Sequence, residues 1–67
     1  MNREALTTDL LSWSEGEIVN EWTVLDEAGG RWHPSDEARE EINAADDPEA
    51  TALRICVAQP MRGTWHS

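Results

Sequence analysis

The chain has 67 residues, a formal net charge of −9 and a single cysteine. That length holds one domain at most, and a domain of this size is only marginally stable alone. One cysteine excludes an internal disulfide, and fourteen acids against five arginines and no lysine argue against direct binding to nucleic acid or an anionic membrane.

Leu, Ile and Val number eleven and Phe is absent, so four tryptophans must supply much of the buried apolar area. Secreted domains this small usually carry several disulfides. The N-terminal stretch has early acids and no continuous apolar run of the kind a signal peptide needs. No run approaches the length of a membrane span. The expected compartment is the cytoplasm, that of the host if the chain is phage-encoded.

Residues 2–14 have helical spacing, with Leu6, Leu10 and Trp13 at i, i+4 and i+7, Asn2 as N-cap and Gly16 as the stop. Residues 17–25, EIVNEWTVL, change to a period of two and predict a strand. The turn DEAGG at 26–30 and the return RWH at 31–33 complete a hairpin. Pro34 stops that strand. Ser35 then caps a helix whose first turn holds Asp36 and Glu37, with Ala38, Ile42 and Ala45 as its thin apolar stripe. Asp47-Pro48 offers a cap for a further short turn. Residues 52–58, ALRICVA, alternate and predict a strand; MRGTW at 61–65 predicts its return. GRWH at 30–33 and GTWH at 63–66 echo each other, which two matching residues in a short window leave as coincidence. The expected fold is a small single-domain α+β protein in the order α-β-β-α-β-β. One helix packs on a three- or four-stranded antiparallel sheet, and a second, acidic helix lies at its edge.

Charge is the most informative feature. All fourteen acids lie within residues 4–49, whereas residues 50–67 hold two arginines and no acid. Residues 36–49 contain Asp36, Glu37, Glu40, Glu41, Asp46, Asp47 and Glu49 against Arg39 alone. Asp36/Glu40 and Glu37/Glu41 are like-charge pairs at i, i+4, which cost an isolated helix a few tenths of a kcal/mol each. Neighbours at that spacing lie about 5–6 Å apart, comparable to successive phosphates of one nucleic-acid strand. Such a row suits a cationic groove built for nucleic acid; the plain alternative is a solvated helix face.

Core positions are expected for Trp13 and Trp22, on apolar faces, whereas Trp32 and Trp65, in short polar-flanked strands, are candidates for partial exposure. Trp32, beside the helix entry, is the expected apolar anchor for a partner. Neither the two histidines nor the acids follow zinc or calcium spacing, so no metal or cofactor is expected. Cys56 sits mid-strand without an ordered His–acid partner, and no nucleophile-elbow, P-loop or dinucleotide motif occurs, so no catalytic residue is assigned.

In size, charge and the 36–49 acid run the chain resembles small phage-encoded inhibitors of bacterial defence, the anti-CRISPR and anti-restriction proteins. The resemblance covers no sequence motif and says nothing of architecture. It implies a non-enzymatic inhibitor whose partner is a protein with a basic nucleic-acid-binding surface, most naturally a CRISPR effector. The rival reading is a small regulatory or adaptor module that dimerises or docks through its apolar C-terminal segment, by way of Leu53, Ile55 or Trp65. A small enzyme is a third.

Overall fold

The computed structural model describes residues 6–14, 16 and 18–66. Strand β1 (Thr7–Ser14) turns back through Gly16, at a φ of +87°, into β2 (Ile18–Leu25). β3 (Arg31–Pro34) follows, then helices α1 (Asp36–Ala44) and α2 (Pro48–Ala58), a 3-10 turn at Pro60–Arg62, and β4 (Gly63–His66). The four strands form one antiparallel sheet in chain order, with the helical pair inserted between β3 and β4. The fold is α+β as expected, in the order β-β-β-α-α-β.

Two expected elements are corrected. The predicted helix over 2–14 is strand β1 from Thr7 to Ser14; residues 2–5 lie outside the described residues. Leu6 and Leu10 satisfy a helical spacing, but Thr7 and Thr8 between them and Ser12 after them are poor helix formers. Eight consecutive pairings to β2, Thr7 opposite Leu25 through Ser14 opposite Ile18, hold the segment extended instead. The predicted strand over 52–58 is the larger part of α2. Its buried residues are Thr51, Ala52, Ile55 and Cys56, the i, i+1, i+4, i+5 set of a helix face. The alternation of Leu53, Ile55 and Val57 is overridden by the start signal ahead of it. The Asp47 side chain accepts from the Ala50 N–H at 3.2 Å, and Pro48 occupies the first turn.

The remaining elements fall where residue chemistry puts them. In the β2–β3 turn, Asp26 Oδ1 accepts from the N–H of Ala28 at 3.0 Å and of Gly30 at 2.7 Å, while Gly29 takes a φ of +89°. Ser35 caps α1, its Oγ accepting from the Ala38 N–H at 3.3 Å. The echoing segments prove to be neighbours in the sheet: Trp32 pairs with Trp65 and Arg31 with His66.

Because side chains alternate along a strand, the sheet has two distinct faces. Trp22 and Val24 of β2 and Trp32 of β3 face the helices, and Leu10 of β1, opposite Trp22, lies on the same side. Leu6, Val24 and Trp32 meet Ile42 of α1 and Ala52, Ile55 and Cys56 of α2 in one core, with Trp22, Leu53 and Trp65 packed against it. Among the described residues no helix covers the other face, which is stitched by polar side chains. Arg31 Nη1 donates to Asp9 Oδ2 at 3.1 Å and to Thr23 Oγ1 at 2.8 Å, and the Thr23 hydroxyl donates to the Asp9 carbonyl at 3.1 Å. His33 Nδ1 lies 3.2 Å from Glu21 Oε1, and its ring meets His66 edge-on at 5.2 Å. These contacts join β1 to β2 and β3 through Asp9, Thr23 and Arg31, and β2 to β3 and β4 through Glu21, His33 and His66.

Candidate functional site

The acid run lies on α1 and on the corner that joins it to α2. Ala38 and Ile42 are fully buried, so α1 turns the opposite side, carrying Asp36, Glu37 and Glu40, to solvent. Glu41 sits on the flank of the helix. Asp46 and Asp47 occupy the corner and Glu49 the first turn of α2; all seven acids are exposed.

Their local partners divide them. Asp36 receives Arg39 Nη1 at 3.1 Å, one helical turn on. Glu41 receives Arg62 Nη1 at 3.1 Å from the 3-10 turn, where Gln59 Oε1 shares the same donor at 3.1 Å. Both are surface ion pairs, worth at most about 1 kcal/mol, yet each relieves one of the like-charge pairs in the sequence. Asp47 caps α2, and its backbone carbonyl also accepts from the Thr51 hydroxyl at 2.8 Å. Among the described residues, Glu37, Glu40, Asp46 and Glu49 have no ion-pair or hydrogen-bond partner. Glu37 and Glu49 still gain from standing in first helical turns. Glu40 and Asp46 have neither a cap, nor a first-turn place, nor a cation. Folding gives no reason for their charge.

Trp32 is a correction. It is fully buried, and its Nε1–H donates to the Pro60 carbonyl at 3.2 Å. It stands on the helix-facing side of β3 with β2 and β4 on either hand, so its short, polar-flanked strand is interior and Trp32 offers nothing to a partner. Trp22 and Trp65 are partly buried against the core, and the side chain of Trp13 lies outside the described residues. Among the described residues, the exposed large apolar side chains are Leu10 (43% accessible), Val57 (44%) and Met61 (79%). Met61 precedes Arg62, the arginine that reaches Glu41, and is the apolar residue that sequence reasoning passes over. Its signal is the stop Gln59-Pro60, which throws the next residue clear of α2.

Between α1 and the end of α2 lies a concavity of about 330 Å3, lined by Glu41, Arg54, Ile55, Ala58, Gln59 and Arg62. Arg54 is exposed and has no acidic partner among the described residues. Cys56 is buried in the core, and burial raises its thiol from 9.0 to about 11. A thiol so shifted is protonated near neutrality and is a poor nucleophile. Among the described residues, no group of three or more His, Cys, Asp or Glu is placed to hold a metal ion. No described helix is long and apolar enough to cross a membrane. Compared with known families, curated proteins and solved structures, the chain shows no match, so the meaning of this surface rests on its own residues.

Proposed function

We propose that the chain is a non-enzymatic inhibitor. It binds a cationic nucleic-acid-binding surface of a bacterial defence complex, in the first place a CRISPR effector, and blocks target DNA. The observation that carries this reading is the set of exposed carboxylates, Glu37, Glu40, Asp46 and Glu49, that meet no cation among the described residues. Glu37 and Glu40 are one helical turn apart, a spacing of about 5–6 Å. Docking them on a basic groove releases the counterions the groove holds, so affinity falls as salt rises. Met61, at the margin of this surface, supplies the apolar contact.

The test is affinity for a purified, DNA-free effector across a salt series. The wild type is compared with a Glu37→Lys/Glu40→Lys variant, which spares the Glu41–Arg62 pair and the Asp47 cap. Loss of at least about tenfold, the equivalent of 1.4 kcal/mol, supports the reading. Unchanged affinity sinks it.

The exposure of Val57 and Met61 favours a second reading, an adaptor docking through its C-terminal segment. Ile55 is in the core, and Leu53 and Trp65 pack against it, so that contact would fall to Val57 and Met61. It predicts that Val57→Lys/Met61→Lys abolishes partner binding while the acid variants leave it intact.

A further inference from the structure

The two edges of the sheet are built differently. β4 is four residues long, starts at a glycine and follows Pro60, so it offers little to an incoming strand. β1 is eight residues long and pairs with β2 in an unbroken register without a bulge. Its outer N–H and C=O groups meet no other described strand. Proteins normally guard such an edge with lysine, proline, a bulge or an inward charge. β1, TTDLLSWS, has none of the first three, and its one charge, Asp9, is held by Arg31 at 3.1 Å. The edge is therefore close to neutral on a chain of net charge −9. It is a long strand edge on which two copies can approach without bringing acid against acid, and a neutral edge offers a basic partner strand little.

We infer that β1 pairs with β1 of a second copy, antiparallel, to make one continuous eight-stranded sheet. A two-fold axis normal to the sheet keeps each residue on its own face, so residues of like parity must stand opposite each other. Centred on Leu10, the exposed leucine of the strand, the register sets Leu10 against Leu10 of the second copy. Thr8 then faces Ser12, Asp9 faces Leu11, and no Asp9 faces its own copy. The same axis places both helical layers on one side, so the acidic surfaces of the two copies point the same way. The pairing does not depend on the inhibitor reading, and its failure leaves that reading standing.

Sedimentation equilibrium of the full chain, from low micromolar to millimolar concentration, tests it. The wild type is expected to reach twice the 7.5 kDa chain mass. Leu10→Lys and Leu10→Glu are each expected to stay monomeric, with far-UV circular dichroism like that of the wild type, because each sets like charges together at the two-fold axis. Mixing the two variants is expected to restore the dimer, since Lys then faces Glu. A monomeric wild type, or a Leu10→Lys variant that dimerises as well as the wild type, overturns the inference.

Discussion

Gly63→Ala adds one methyl group and should come close to unfolding the protein. Gly63 has a φ of −167°, extended backbone open to any residue, so dihedral strain plays no part. The obstacle is space. A Cβ at this position would lie 2.3 and 2.4 Å from Cε2 and Cζ2 of Trp32 and 2.6 Å from the His33 carbonyl oxygen, where carbon atoms at rest stand about 3.5–4.0 Å apart. Something must give by more than an ångström. The carbonyl belongs to β3, which β4 pairs with directly; the indole is fully buried and tethered to the Pro60 carbonyl. Overpacking of this kind costs about 1–3 kcal/mol, and a displaced indole leaves a buried N–H unpaired for about 1–3 kcal/mol more. A loss near 3 kcal/mol is a large share of a small domain's stability, which starts from about 5 kcal/mol at the low end. At about 4–8 °C per kcal/mol, Tm should fall by more than ten degrees. Urea unfolding followed by tryptophan fluorescence and near-UV circular dichroism measures both the loss and the disturbed indole. In a Trp32→Leu background the same Gly63→Ala change should cost less, with a coupling of about 1–3 kcal/mol. If Gly63→Ala unfolds within about 0.5 kcal/mol of wild type, the ordinary range for a harmless surface change, Trp32 does not pack on Gly63 as described.

Neighbouring acids should separate by role. Asp47→Ala should cost about 1 kcal/mol through loss of the α2 cap, whereas Asp46→Ala should stay within about 0.5 kcal/mol of wild type; equal losses in thermal melts would contradict the division of the acids made above. Cys56 should resist thiol reagents in the folded protein and react at a rate set by unfolding. Its pKa is raised by burial to about 11 from 9.0, so between those values the folded state holds a proton that the unfolded state has lost. Its contribution is therefore complete below pH 9.0 and declines as pH rises through about 11. A Cys56→Ser variant should flatten that alkaline decline, and an unchanged profile would assign it to other groups.

The hairpin over 17–33 and the acidic helix were legible because their signals are local: a turn aspartate with paired glycines, and a serine cap ahead of two acids. β1 was hidden because Leu6 and Leu10 fit both a helical stripe and one face of a strand. What decides between them is the partner strand β2, a non-local contact that a period count does not contain. In α2, the alternation of Leu53, Ile55 and Val57 mimics a strand, and the Asp47-Pro48 cap by itself does not say how far the helix it starts will run. The acids were placed on the surface by residue type alone, but the sequence could not divide them. Arg62 reaches Glu41 from twenty-one residues away, and only the fold reveals that Glu41 is relieved and Glu40 is not. Trp32 has polar neighbours along the chain that suggest exposure, whereas its neighbours across the sheet and in the helices bury it.

The most direct measurement of the central claim is the salt dependence of binding to a DNA-free CRISPR effector. The comparison is between wild type and a chain in which Glu37, Glu40, Asp46 and Glu49 are all replaced by their amides, a change that keeps shape and removes charge. A steep fall in wild-type affinity with rising salt, together with weak and nearly salt-independent binding by the amide variant, is the predicted result. Equal affinity and equal salt slopes for the two proteins would contradict it.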